Sequence, residues 1–171
     1  MKTTNYLISA GIILICLGSC HKIEKLPAIP SIEYTSFSIF DTTDILGNKS
    51  KGGRLRFRFQ DGDGDLGLPV VTDSLADSTN LFFTLYRKIN GVITLAPAND
   101  PLKPSSYRIP YMYRQGQNKI LKGTISVTFL YLFYNQGDTI RYDFYLKDRA
   151  LNSSNIASTN DIIIAVNNTY K

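Results

Sequence analysis

The sequence predicts an all-β domain, an antiparallel sandwich of seven or eight strands, and three observations carry that expectation. Apolar and polar residues alternate with a period of two in several segments, as half-buried strands require. Asn90-Gly91 sits between two apolar runs, and this pair suits a type I′ hairpin turn, which needs positive φ at both central residues. No window sustains a helical period with capping residues, while turn-forming clusters recur along the chain.

Taken in order, Ile32 to Phe40 is rich in β-branched and aromatic residues and ends at the polar stretch Asp41-Thr-Thr-Asp44. Gly47 to Gly53 reads as a loop. Arg54-Leu-Arg-Phe-Arg-Phe59 is the cleanest alternation, with Leu55, Phe57 and Phe59 facing inward and the arginines outward. Three arginines on one face form either an anion-binding stripe or a solvated row paired with acids on neighbouring strands. Leu81–Ile89 and Val92–Leu95 form the hairpin, and a loop with Pro97, Pro101 and Pro104 follows. Tyr107 to Tyr113 is strand-like, but Pro110 demotes it to an edge or a bulge. Ile120 to Leu130, extended by Tyr131 to Tyr134, places Ile125, Val127 and Phe129 on one face. Ile140, Tyr142, Phe144 and Leu146 alternate with polar partners, and Asp161 to Val166 closes the chain as a last strand.

Ahead of this domain lies an apolar run, Leu7 to Leu17, preceded by Lys2. It is long enough for the core of an export signal and shorter than the roughly 20 residues that span a bilayer. It ends in Leu17-Gly-Ser-Cys20, which resembles the lipobox of bacterial lipoproteins. That resemblance implies cleavage before Cys20 and a covalent lipid on its thiol, so residues 1–19 form the signal, 20–30 a tether with Pro27 and Pro30, and 31–171 the domain. Several acyl chains hold a protein durably where one does so only marginally. No aspartate follows Cys20, which favours the outer membrane, and both its periplasmic and its surface face stay open.

Composition narrows the function classes. Lys and Arg number 19 against 14 acids, without a basic run, so a nucleic-acid partner is not expected. Cys16 leaves with the signal and Cys20 is taken by lipid, which leaves no disulfide and no thiol nucleophile. The one histidine, His21, sits in the tether, and no nucleophile elbow, phosphate loop or zinc spacing occurs. No catalytic residue is assigned.

Two binding candidates remain. Asp61-Gly-Asp-Gly-Asp65 sets three carboxylates at alternate positions, a pattern that turns oxygens onto a hard cation such as Ca²⁺, with Asp73, Asp77 or Asp148 completing the shell. Leu66 stands sixth and Thr72 twelfth, unlike an EF-hand, and a plain polar turn is the competing reading. Tyr107, Tyr111 and Tyr113 fall on one face of a regular strand and form a ligand-binding candidate, or else pack in the core.

Asp148-Arg-Ala-Leu-Asn-Ser-Ser154 before an apolar end resembles the D-x-A-G-N-x-S loop of bacterial immunoglobulin-like domains, with Leu151 in place of the usual glycine. Together with the lipobox and the FQDGDGDLG stretch, the chain resembles small Bacteroidota lipoproteins with an immunoglobulin-like domain. The resemblance implies a fold and a location, and no activity. The expectation is an outer-membrane lipoprotein acting as a non-enzymatic binding or accessory module for envelope proteins or a glycan. A structural envelope protein and a small glycan hydrolase are the alternatives.

Overall fold

The computed structural model describes residues 25–69, 79–114, 116 and 118–171. The signal, Cys20 and the start of the tether lie outside these residues, as do Asp73 and Asp77. Among the described residues nine strands run in the order β1 (Ser31–Thr43), β2 (Lys49–Asp61), β3 (Leu81–Ile89), β4 (Val92–Leu95), β5 (Leu121–Tyr131), β6 (Thr139–Leu146), β7 (Ala157–Ser158), β8 (Ile162–Ile163) and β9 (Asn168–Tyr170). One sheet has the order β5-β2-β1-β9, and the other β4-β3-β6-β7, with β8 also paired to β6. All pairings between these strands are antiparallel. One sheet thus takes the first, second, fifth and ninth strands and the other the third, fourth, sixth, seventh and eighth, which makes an antiparallel two-sheet sandwich. None of the described residues forms a helix long and apolar enough to cross a membrane.

The strands follow their side-chain pattern closely. In β2, Leu55, Phe57 and Phe59 are buried while Arg54, Arg56 and Arg58 are exposed. The arginine row is solvated rather than convergent: Arg58 lies 3.8 Å from Glu33, and Arg54 covers the Phe40 ring. Ile140, Tyr142, Phe144 and Leu146 of β6 are completely buried. Asn90 (φ 51°) and Gly91 (φ 80°) make the expected hairpin turn. Between the sheets the rings of Phe37, Phe83, Phe129 and Tyr142 pack with centroids 5.5–6.2 Å apart. The buried Tyr142 hydroxyl donates to the Leu102 carbonyl at 2.7 Å, so the ring buries its area without an unpaired donor.

Three expectations change, and a bulge is added. Gly52 and Gly53 belong to β2 rather than a loop, because the Phe40, Phe37 and Tyr131 rings lie where their Cβ atoms would stand. In β1 the register shifts between Tyr34 and Ser36, so Ile32 faces inward before the bulge while Phe37 and Ile39 do after it. Tyr107 to Tyr113 is no strand. It is held by isolated bridges, Leu81 to Tyr107 and Leu68 to Pro110, and buried Asn80 accepts the Ile109 amide at 2.7 Å. The single last strand becomes β7, β8 and β9, which crosses from the β6 sheet to the edge of β1.

The fold has two poles. β1 begins at the N-terminal pole, together with the ends of β2 and β6 and the loops 61–67 and 148–155. The opposite pole carries the β1–β2 turn, the β3–β4 turn, the β5–β6 loop and the β8–β9 turn.

Candidate functional site

At the N-terminal pole, where β1 begins, β2 ends on Asp61, an inward position that its alternation makes unavoidable. Asp61 is completely buried, Asp65 half-buried and Asp63 exposed, and one oxygen from each lies within 4.8 Å of the others. Asp61 Oδ2 accepts the Leu66 amide at 2.8 Å, and Asp65 Oδ2 accepts the Ala150 amide at 3.1 Å. Their second oxygens, Asp61 Oδ1 and Asp65 Oδ1, are buried without a hydrogen-bond partner.

Burial pushes the Asp61 carboxyl up to about 6, against the Leu66 amide and with help from Asp63 and the Asp65 charge. Asp65 is raised as well, first by burial and then by the charges of Asp148 and Asp63. Asp148 therefore lies close enough to add its charge. Its own carboxylate caps its turn, accepting the Asn152 amide at 2.7 Å and the Asn152 side chain at 2.8 Å. Leu151 holds the left-handed conformation (φ 67°) that a glycine usually supplies in such a loop.

The loop has little freedom. A Cβ at Gly62 would overlap the Leu26 and Pro27 carbonyls, and one at Gly64 (φ 74°) would overlap the Lys119 carbonyl. The Gly62 amide donates to Pro27 O at 3.0 Å, so the segment that leads into β1 lies directly on the acidic turn. Arg149 spans the other side. Its guanidinium donates to the carbonyls of Gly67 (2.9 Å), Leu66 and Gly64 (3.4 Å each), and stacks over Tyr111 at 4.8 Å.

The three candidate tyrosines part company. Tyr107 packs edge-on against Phe83 and Phe129 in the core, whereas Tyr111 and Tyr113 are exposed and stacked at 6.5 Å. The irregular backbone around Pro110 breaks the strict alternation that would have aligned them.

Sequence reasoning passed over the opposite pole. Ile45 (94% exposed), Leu46, Leu132, Phe133 (73%) and Val166 stand in solvent on its loops, and Val92 does so where β4 leaves its turn. A cleft of about 750 Å³ opens there beside Asp41, Lys51 and Tyr134, and a second of about 310 Å³ lies between Arg87 and Phe133. The acids of this pole are satisfied. Asp41 pairs with Lys51 and Asp161 with Lys88, each at 2.7 Å, while Asp138 and Asp100 hold Arg87. Burial opposes ionisation of Asp100, but the Arg87 and Leu102 donors outweigh it and keep the carboxyl below its usual range. The signal in the sequence was short apolar pairs, Ile45-Leu46 and Leu132-Phe133, inside turn segments.

The chain has one histidine, His21, and two cysteines, all outside the described residues. Compared with protein-family models, curated proteins and solved structures, the chain finds no match.

Proposed function

We propose that this chain is a lipid-anchored, non-enzymatic binding module of the outer membrane, which meets a protein partner of the envelope through the pole away from its anchor. The observation that carries this reading is the set of exposed apolar residues on four loops of that pole. Large apolar side chains gathered on one surface mark an interaction site, because leaving them in water is costly. Residues 25–30 lead into β1 at the other pole, so a lipid on Cys20 would hold the domain by that end and leave this surface turned away from the membrane. Its acids and bases neutralise one another, which gives anionic lipid no electrostatic purchase. Five of the six apolar side chains are aliphatic and offer a sugar little to stack on, with Phe133 the one ring among them. A glycan is the second reading, favoured by the stacked and exposed Tyr111 and Tyr113.

A photo-cross-linking residue placed at Phe133 in intact cells tests the proposal, with Arg56 on the open sheet face as the control position. The expected result is one discrete protein adduct from position 133, lost when Ile45 and Leu46 are both replaced by serine, and none from position 56. Equal labelling at both positions would overturn it, as would an adduct with a second copy of the chain. Glycan adducts from Tyr113 alone would favour the second reading, and silence at every position would leave a structural envelope protein.

A further inference from the structure

We propose that the Asp61-Gly-Asp-Gly-Asp65 turn binds Ca²⁺, with Asp61 Oδ1, Asp65 Oδ1 and the Asp63 carboxylate as its protein ligands, and that the ion fastens the N-terminal pole. A plain turn has a recognisable chemistry in this same protein. Asp44 takes the amides of Leu46 and Asn48 and the Asn48 side chain, and Asp148 takes both donors of Asn152. Asp61 and Asp65 differ, since each uses one oxygen in this way and leaves the other buried without a donor. A completely buried carboxylate that keeps one oxygen without a donor, beside two more carboxylates, is costly at pH 7 unless a cation joins them.

The neighbouring cation does not fill that role. Arg149 directs its guanidinium hydrogens to the carbonyls of Gly64, Leu66 and Gly67. It therefore fixes the path of the loop and leaves the free oxygens open. The ligand set is oxygen only, which selects a hard cation. Oxygens within 4.8 Å of one another fit a shell with Ca–O distances of roughly 2.3–2.6 Å, whose opposite ligands stand about 5 Å apart. Ca²⁺ takes 6–8 oxygens, so carboxylates binding through one or both oxygens leave places for water, as in weak extracellular sites with Kd of about 10⁻⁴–10⁻³ M. Asp148 contributes charge across the loop without being a ligand. Because Gly62 is bonded to Pro27 O and Asp65 to the Ala150 amide, an ion on these acids ties the segment that leads into β1 to the 148–155 loop. The site lies at the pole opposite the proposed docking surface and stands or falls independently of it.

The test uses the full chain in mild detergent, stripped of metal with EDTA and then titrated with CaCl₂ by calorimetry and thermal unfolding. At a hundredfold excess over Kd, Tm is expected to rise by about 5–10 °C. Asp65→Asn is expected to abolish the rise. Asp63→Asn alters only an exposed side chain and keeps the fold, so it is expected to weaken Kd about tenfold or more. Absence of any heat or Tm change up to about 10 mM Ca²⁺ would overturn the inference. So would an undiminished response in both variants.

Discussion

Replacing Asp61 by asparagine probes the acidic turn from the side of charge. The side chain keeps its shape, and its amide oxygen can still accept the Leu66 amide now bound at 2.8 Å. Its new amide hydrogens face Asp63, where wild type sets carboxylate against carboxylate. Burial is the chief force that pushes the wild-type carboxyl from 3.8 to about 6, and every tenfold gain in proton affinity is worth about 1.4 kcal/mol. At pH 7 without metal, ionised Asp61 therefore costs the fold about 2–3 kcal/mol, and the variant recovers most of it. The sign follows from proton occupancy. Between about pH 4 and 6 the folded protein holds a proton that the unfolded chain has released, so this contribution is present below pH 4 and lost as pH rises through 6. Urea unfolding in EDTA, compared between wild type and Asp61→Asn from pH 4 to 7, reads the difference. The variant should be more stable by about 2–3 kcal/mol at pH 7, with the gap closing towards pH 4. A variant less stable at pH 7, or a gap that does not change with pH, would refute the reasoning.

Two further outcomes follow from single residues. Leu151 is 77% exposed at φ 67°, so Leu151→Gly loses almost no packing and relieves left-handed strain of about 1–2 kcal/mol, partly offset by the entropy of glycine. Net stabilisation of about 0.5–1 kcal/mol is expected in urea unfolding, and a loss would show that the Leu151 side chain holds the loop. Burial pushes Tyr34 up to about 12 and raises Tyr107, Tyr131 and Tyr142 as well. Folded protein then keeps protons that unfolded chains lose, so stability present below pH 10 falls as pH climbs towards 12. Ultraviolet titration should show these tyrosines ionising together with cooperative unfolding, and a smooth titration of every tyrosine near pH 10 would contradict it.

How much of this was legible beforehand depended on whether the information was local. β2, β3, β4 and β6 announce themselves through alternation or through Asn90-Gly91, because one buried face and one turn type suffice to specify them. The bulge in β1 leaves no such mark, since it depends on how Phe37 and Ile39 must meet the other sheet. Gly52 and Gly53 looked like a loop because the rings that cover them come from residues 37, 40 and 131. The acidic turn was visible as a motif, yet its unpaired oxygens depend on burial by elements distant in sequence, including the Ala150 amide. Arg87 meets Asp100 and Asp138 across intervals of 13 and 51 residues, which no short pattern encodes. The apolar pole is assembled from four separate turns and exists only once the sandwich closes.

The central claim is that a lipid at Cys20 holds this sandwich by one pole and leaves the other free to bind. The most direct measurement is the mass of the N-terminal peptide of the protein isolated from its native membranes. The account predicts that the chain begins at Cys20, carries acyl groups on that residue and leaves the membrane only with detergent. A chain that begins elsewhere, or that carries an unmodified Cys20 and washes free in salt, would contradict it.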